Sequence, residues 1–314
     1  VASEQLRVGI PPVAGRGDDV ADAVRRIRPS RIVLLVVIAI LAAQFVTFLV
    51  TNKRFGWSVV RHYLFNHLIL QGLLTTIELT AISMTLGILI GIAVAVARLS
   101  TFRPVSTLAW LYTRFFFGVP LLVQLIFWFN LAYLVPKLSI GLPFGPSYGD
   151  WSANQIITPF IAAVLGLALH EGGYMSEVIR AGLMSVDRGQ RDAARTLGLS
   201  SFQTLRRILL PQALRFIVPP TTNQVIGMLK GSALVSAVGV ADLTGQVENI
   251  YNINFQIVPL LLVACIWYFV LISILDVVQR YTERRFARAD AGSIARGTRQ
   301  RPDAVATNVT EAEV

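Results

Sequence analysis

A 314-residue chain that is 54% hydrophobic and only 15% charged has too little polar surface to solvate a globule, since soluble domains carry about 25% charged residues. That composition excludes a soluble multidomain enzyme and points to an integral membrane protein. The excess of 28 Lys and Arg over 18 Asp and Glu sits between long apolar runs, where it reads as membrane topology rather than as a nucleic-acid surface.

Residues 1–31 form a basic leader rich in Pro, Gly and Arg without periodicity, expected to be a disordered cytoplasmic segment. A first apolar run at 32–50 is interrupted only by Gln44 and Thr47. It is too long for the core of a secretory signal and lacks a small-x-small cleavage site, so a retained span is expected. Five further runs of about the length a bilayer needs follow at roughly 68–97, 107–135, 155–183, 214–238 and 256–278. The runs are solid rather than alternating, which argues against a β-barrel. The expected fold class is therefore an all-α membrane protein of about six transmembrane helices.

Within the second run, Ser83, Gly87, Gly91 and Ala95 recur every four residues, a face that lets helix backbones approach closely. The spacing does not say whether the partner helix belongs to this chain or to a second copy. Glu78 in the same run is a costly intramembrane charge, satisfied either by Thr75, Thr76 and Thr80, or by a cation on a neighbouring helix, or by a solute. In the third run Pro120 breaks the helix and frees backbone groups to line a cavity, with Gln124 just beyond it. Glu177 and Arg180 in the fourth stand three apart and can pair with each other. Asn223, Gly227 and Lys230 in the fifth share one helical face, from which Lys230 could meet a solute carboxylate, Glu78 or Glu171. The aromatic residues read as interfacial or core.

The loop between the fourth and fifth runs carries the sharpest local signals. Asp187 is a helix N-cap, with Gln190 completing a capping-box pattern. Gly198 supplies the left-handed residue of a C-terminal cap. Ser200 with Gln203 offers a second capping box, opening a helix that Pro211 should end or kink. Two short helices joined by a glycine turn make a rigid knob, with Ala193 and Ala194 as its low-profile surface. An ordinary amphipathic linker whose arginines reach to lipid headgroups fits the same residues.

Orientation follows from Lys and Arg. Segments 1–31, 98–104, 184–216 and 279–314 hold 21 of them, against 4 in 51–67, 136–154 and 239–255, which places both termini in the cytoplasm. Residues 288–314 are a second aperiodic segment, expected to be disordered. The chemistry of catalysis is missing. There is no phosphate-binding loop, His170-Glu171 lacks the second histidine of a zinc-protease helix, and Cys265 is the only cysteine. No cofactor or metal site is implied, and any ATP must be hydrolysed on another subunit.

Asp192-Ala193-Ala194-x-x-x-Gly198, then nine residues, then Ile208-x-Leu210-Pro211, resembles the EAA loop of binding-protein-dependent ABC importer permeases. The flanks Gly173-Tyr174-Met175-Ser176-Glu177-Val178-Ile179-Arg180-Ala181-Gly182 and Leu210-Pro211-Gln212-Ala213-Leu214-Arg215 extend the likeness. So do Val119-Pro120-Leu121-Leu122-Val123-Gln124 and Leu229-Lys230-Gly231-Ser232-Ala233-Leu234-Val235-Ser236, which resemble the polar amino acid (histidine, glutamine, arginine and opine) branch. The chain departs in having Asp192 where Glu is usual and Gly231 where a polar residue is typical. The resemblance covers about 64–285 and implies a five-helix permease core there, with the span at 32–50 and the leader as additions. It implies that Asp192, Ala193, Ala194 and Gly198 contact a dimer of cytoplasmic ABC ATPases, with the capping residues Gln190 and Ser200 beside them. It further implies an extracytoplasmic amino-acid-binding protein, a second permease subunit, identical or related, and a place in the cytoplasmic membrane among lipid. Candidate residues for the solute pathway are Glu78, Gln124, Glu177, Asn223 and Lys230, and the acids Glu78 and Glu171 would favour a cationic solute. A secondary transporter would need internal repeats and matched broken helices, of which no second copy of any motif is visible. A membrane scaffold would not require a doubly capped helix pair.

Overall fold

The computed structural model describes residues 29–141 and 147–299, with side-chain surroundings at 30–137 and 151–286. The leader expected at 1–31 therefore lies almost wholly outside the described residues, and so does the end of the tail, 300–314. The chain divides into two compact units, 1–55 and 56–314.

The first unit holds α1, Pro29–Thr51, and a 3-10 turn at Lys53–Phe55. Apolar residues occupy all sides of α1, as in a helix surrounded by lipid. Thr47 and Thr51 return their hydroxyls to the carbonyls of Ala43 and Thr47, so neither exposes an unsatisfied donor.

The second unit is organised about α3, His67–Arg98, and α8, Pro159–Met184. Both open on capping side chains: Asn66 accepts from Leu68 N–H, and Thr158 accepts from Ile161 N–H with Pro159 in the first turn. The small-residue stripe of α3 packs within the chain. A Cβ added at Gly87 would stand 2.8 Å from Glu171 Cβ, and one at Gly91 would stand 2.5 Å from Met175 Cβ. The two helix backbones thus approach closely and run parallel. Half the residues of α8 are buried in this unit, including Ala162, Gly166, Leu167, Met175 and Ile179. With half its residues buried in protein, α8 carries His170, Glu171, Tyr174, Glu177 and Arg180 and still sits at the centre.

Around this pair come α2, Trp57–Leu64, α4, Arg103–Gly118, α5, Leu121–Phe129, and the one-turn α6, Leu131–Leu134. The axis turns by 104° between α4 and α5, at the break expected from Pro120. The run expected at 107–135 is therefore a bent pair. The loop beyond it forms a two-stranded antiparallel hairpin, β1 Lys137–Gly141 with β2 Ser147–Ser152, in the register Lys137↔Ser152. The fold is all-α as expected, and this hairpin is a local feature of one loop, where Leu138 and Ile140 alternate with polar residues at the period of a strand. A short helix, α7 Ala153–Ile156, leads into α8.

After α8 come α9, Arg188–Thr196, and α10, Ser201–Thr204. Pro211 does not end the helix that follows. A π-helical turn at Leu205–Leu209, with Leu210 N–H bonded to Leu205 O, widens the chain just before the proline, and α11, Leu210–Gly231, continues beyond it. The extra residue in the turn makes room for a ring that lacks an N–H. A 3-10 segment, Ser232–Val238, and α12, Leu243–Asn254, lead to α13, Ile257–Arg299. The backbone of α13 runs well into the segment expected as an aperiodic tail.

The fully buried Asp242 ties the far end together. Its Oδ1 accepts from Gly245 N–H at 2.9 Å, capping α12, and Tyr268 of α13 donates to Oδ2 at 3.3 Å. Thr76 of α3 receives Leu243 N–H at 3.0 Å. Among the described residues three helices, α1, α3 and α13, are long and apolar enough to cross a membrane, or up to five spans if each bent pair counts as one. The outward faces of α3, α4 and α13 carry many exposed large apolar side chains, the surface of a multi-pass membrane protein.

Candidate functional site

Two features stand out, a knob at one end of α8 and a polar cavity along its length. The knob is built as its sequence dictates, with two adjustments. Asp187 caps α9, but its carboxylate accepts from Gly189 N–H at 2.6 Å, one residue before the position a capping box uses, so the reciprocal bond expected of Gln190 is not part of the cap. Gly198 has φ +72°. Around it Gly198 N–H bonds Arg195 O at 2.9 Å and Leu199 N–H bonds Ala194 O at 3.1 Å, the paired reverse bonds that satisfy a helix's last carbonyls. Ser200 and Gln203 then form the complete box, with bonds of 3.2 and 3.0 Å.

The expected alanine surface is only half presented. Ala194 is 1% exposed and packs inward, whereas Ala193 faces out. Gln190, Asp192, Gly198 and Ser200 are exposed, and Asp192 pairs loosely with Arg195 at 3.8 Å, a surface pair of little energetic weight. Arg191 anchors the knob to the core by donating from Nη2 to the carbonyl of Leu183, at 2.5 Å, in the last turn of α8. Two residues not singled out from the sequence stand on either side of the Gly198 turn: Leu197 and Phe202, 76% and 68% exposed. Their signal was available, since two large apolar residues in so polar a loop have no reason to be there unless something covers them.

The cavity, of about 180 Å³, is lined by Leu121, Leu167, His170, Glu171, Tyr174, Gln224, Gly227, Met228 and Gly231. The break at Pro120 builds one wall. Pro120 cannot donate to Phe116 O, and Gln124, only 2% exposed, fills the gap by donating from Nε2 to Val119 O at 2.7 Å and more weakly to Phe116 O at 3.4 Å. The same amide stands 3.1 Å from His170 Nδ1. Because an amide N–H only donates, this contact becomes a hydrogen bond when Nδ1 of a neutral His170 is the bare, accepting nitrogen. Glu171, 5% exposed, accepts from Gln224 Nε2 at 3.2 Å. Tyr174 stacks on Phe117 with ring centres 4.1 Å apart. A larger cavity of about 470 Å³ shares Tyr174 and Gln224 with the first, and is lined also by Phe117, Glu177, Ser185 and Pro220. A chain of polar groups thus runs along α8 from His170 toward the knob.

The expected pathway residues separate on this frame. Gln124 lies against the first cavity's histidine and Glu177 lines the second. Glu177 is held by Arg180, which donates Nε to Oε2 at 3.1 Å and Nη2 to Oε1, with Arg98 3.9 Å away. Glu78, Asn223 and Lys230 are exposed on outer faces instead. The threonines beside Glu78 are engaged elsewhere, Thr75 with Gln71 O, Thr76 with Asp242 and Leu243, and Thr80 with Thr76 O. Among the described residues Lys230 pairs with neither Glu78 nor Glu171, because the next residue around from Asn223, Gln224, is the one that turns inward to Glu171. His170 and Gln224 were not anticipated. Adjacent polar residues at 170 and 171 followed by two glycines within an apolar run were the available signal.

Residues 87–288 match the family model of binding-protein-dependent transport system inner membrane components. The arginine transport system permease protein ArgU of Corynebacterium glutamicum is 38% identical over 268 residues, covering 85% of this chain and 83% of that protein. The L-cystine transport system permease protein TcyB of Bacillus subtilis is 34% identical over 233 residues, covering 74% and 92%. A crystal structure of an amino acid ABC transporter with histidines superposes with a TM-score of 0.59 at 33% identity, covering 69% of this chain and 94% of that one.

Proposed function

We propose, on the premise that the chain belongs to the family of binding-protein-dependent transport system inner membrane components, that it carries a polar amino acid inward as the permease of an ATP-driven importer. The chain is not itself catalytic: in this family ATP is hydrolysed on a separate subunit. The arginine and cystine named for its relatives and the amino acid named for the solved transporter support an amino acid solute.

The observation that carries the mechanism is the doubly capped α9–α10 pair, rigid in itself and bonded through Arg191 to the end of the helix that lines both cavities. A groove on a cytoplasmic ATPase dimer grips this pair through Gln190, Asp192, Ala193, Gly198 and Ser200, with Leu197 and Phe202 as apolar anchors and Ala194 setting their packing from beneath. Closing and opening of that groove moves α8 as a rod and shifts the permease between two states. The solute leaves a binding protein on the opposite face and passes His170 and Glu171, guided by Gln124, and then Glu177. A second permease, identical or related, completes the pathway, and the exposed Glu78, Asn223 and Lys230 lie on faces open to it.

Six spans fit this reading: α1, α3, the α4–α5 pair, α8, the α11–α12 pair and α13, with both termini in the cytoplasm by the distribution of Lys and Arg. The five-helix core at 64–285 is then preceded by one added span. The test is co-purification of the ATPase with the permease, followed by reconstitution with the cognate binding protein and a panel of amino acids. Solute-stimulated ATP hydrolysis with uptake is expected. A permease that transports without an ATPase would overturn the reading.

A further inference from the structure

Beside the proposed pathway, on the outer side of Glu177, is a pocket of about 220 Å³ lined by Arg98, Trp110, Thr113, Arg114, Phe117 and Glu177. Its charges do not balance. Glu177 has both carboxylate oxygens taken by Arg180, and Arg98 stands 3.9 Å off. Arg114 makes no hydrogen bond or ion pair among the described residues and lies over the ring of Trp110, 5.5 Å from its centre. Three guanidiniums therefore share one carboxylate, and none can shed its proton.

The depth of the pocket identifies what completes it. α3 has 32 residues, about 48 Å at 1.5 Å per residue, against a hydrocarbon core of about 30 Å. Shared between the two ends, the excess puts roughly the last six residues of α3, ending at Arg98, among headgroups. The pocket also opens sideways. Trp110, Leu111, Arg114 and Phe117 follow one another on one exposed face of α4, and the neighbouring Leu108 and Phe115 are exposed as well. The pocket meets the cavity at Gln224 through the shared Phe117 and Glu177, and its other side gives onto the apolar, lipid-facing surface of α4.

We propose that Arg98 and Arg114 bind the phosphate of an anionic phospholipid from the leaflet facing the ATPase, with Trp110 at the headgroup boundary and the acyl chains along the exposed face of α4. Guanidinium and phosphate match in charge and in paired donor geometry, and aromatic rings with a polar edge favour this depth.

The test is native mass spectrometry of the full permease–ATPase complex released from nanodiscs of phosphatidylcholine doped with phosphatidylglycerol, with inorganic phosphate as competitor. Wild type should retain phosphatidylglycerol in preference to phosphatidylcholine. Arg114→Gln should weaken that preference about tenfold, as expected for one charged hydrogen-bonding group, and the Arg98→Gln, Arg114→Gln double variant should abolish it. Arg114→Lys should keep part of it, which separates lost charge from lost fold. Equal retention of the two lipids by wild type, or full retention by the double variant, would overturn the proposal. Displacement of the lipid by millimolar inorganic phosphate would also overturn it, assigning the pocket to a soluble anion. So would dissociation of the permease pair in Arg114→Gln with lipid preference intact, which would assign Arg114 to a carboxylate of the second permease.

Discussion

Gly198 offers a test of whether the knob works through its backbone or through its surface. Its φ of +72° is a region where a side chain costs about 1–2 kcal/mol, while a Cβ built there meets nothing within 4 Å. Substitution therefore strains the turn without a clash inside the chain. A penalty of that size, set against a cap held by the two bonds from Gly198 and Leu199, shifts the population of the properly turned knob by roughly 5- to 30-fold. Asn tolerates this conformation far better than Ala does, although it is larger, and a β-branched residue tolerates it worst. The assay is amino acid uptake per ATP hydrolysed in proteoliposomes. The expected order is Gly198 wild type, then Gly198→Asn, then Gly198→Ala, then Gly198→Val. An order that follows side-chain volume, with Asn worse than Ala, would show that crowding against the ATPase decides the effect. Equal coupling in all four would remove the knob from the mechanism.

Other outcomes can be checked as directly. Gly91→Ala places a methyl 2.5 Å from Met175 Cβ, and overpacking of this kind costs about 1–3 kcal/mol; thermal challenge in detergent should show a clear loss of folded permease, and an unchanged midpoint would refute the tight α3–α8 seam. Gln124→Leu strips the donor from the part-buried Val119 O at the helix break, at a cost of up to about 1–3 kcal/mol. That variant should be less stable even without solute, and wild-type stability would mean the carbonyl finds another partner. Glu171→Gln removes the carboxylate that, among the described residues, lines the smaller cavity; if the solute is cationic, its uptake should fall about tenfold, the loss of one charged hydrogen-bonding group, while ATPase assembly persists, and undiminished uptake would route the solute elsewhere. Arg191→Met cuts the tie to Leu183 O, so uptake per ATP should drop with the ATPase still bound; normal coupling would show that packing alone carries the motion.

Local rules wrote much of this protein directly into its sequence. Apolar length located the helices, Asp187, Gly198 and Ser200 marked the ends of the knob, and Pro120 marked the break, because each acts within a turn or two of its own position. The same locality explains the near misses: a box pattern at Gln190 cannot reveal that Asp187 prefers Gly189 N–H, and a proline rule cannot foresee the π-helical turn that accommodates Pro211. Of the charges inside the spans, the pair Glu177 and Arg180 was legible because its partners stand three apart on one helix, whereas the rest depend on how whole helices pack. Sequence spacing makes Glu78 and Lys230 as suited to a pathway as Gln124 and Glu177, yet about 100° of rotation per residue separates an inward Gln224 from an outward Asn223. Only the packing of whole helices decides which side is inward. The small-residue stripe makes the same point, since glycine spacing specifies that something must come close, and the tertiary structure alone names α8 as the helix that does.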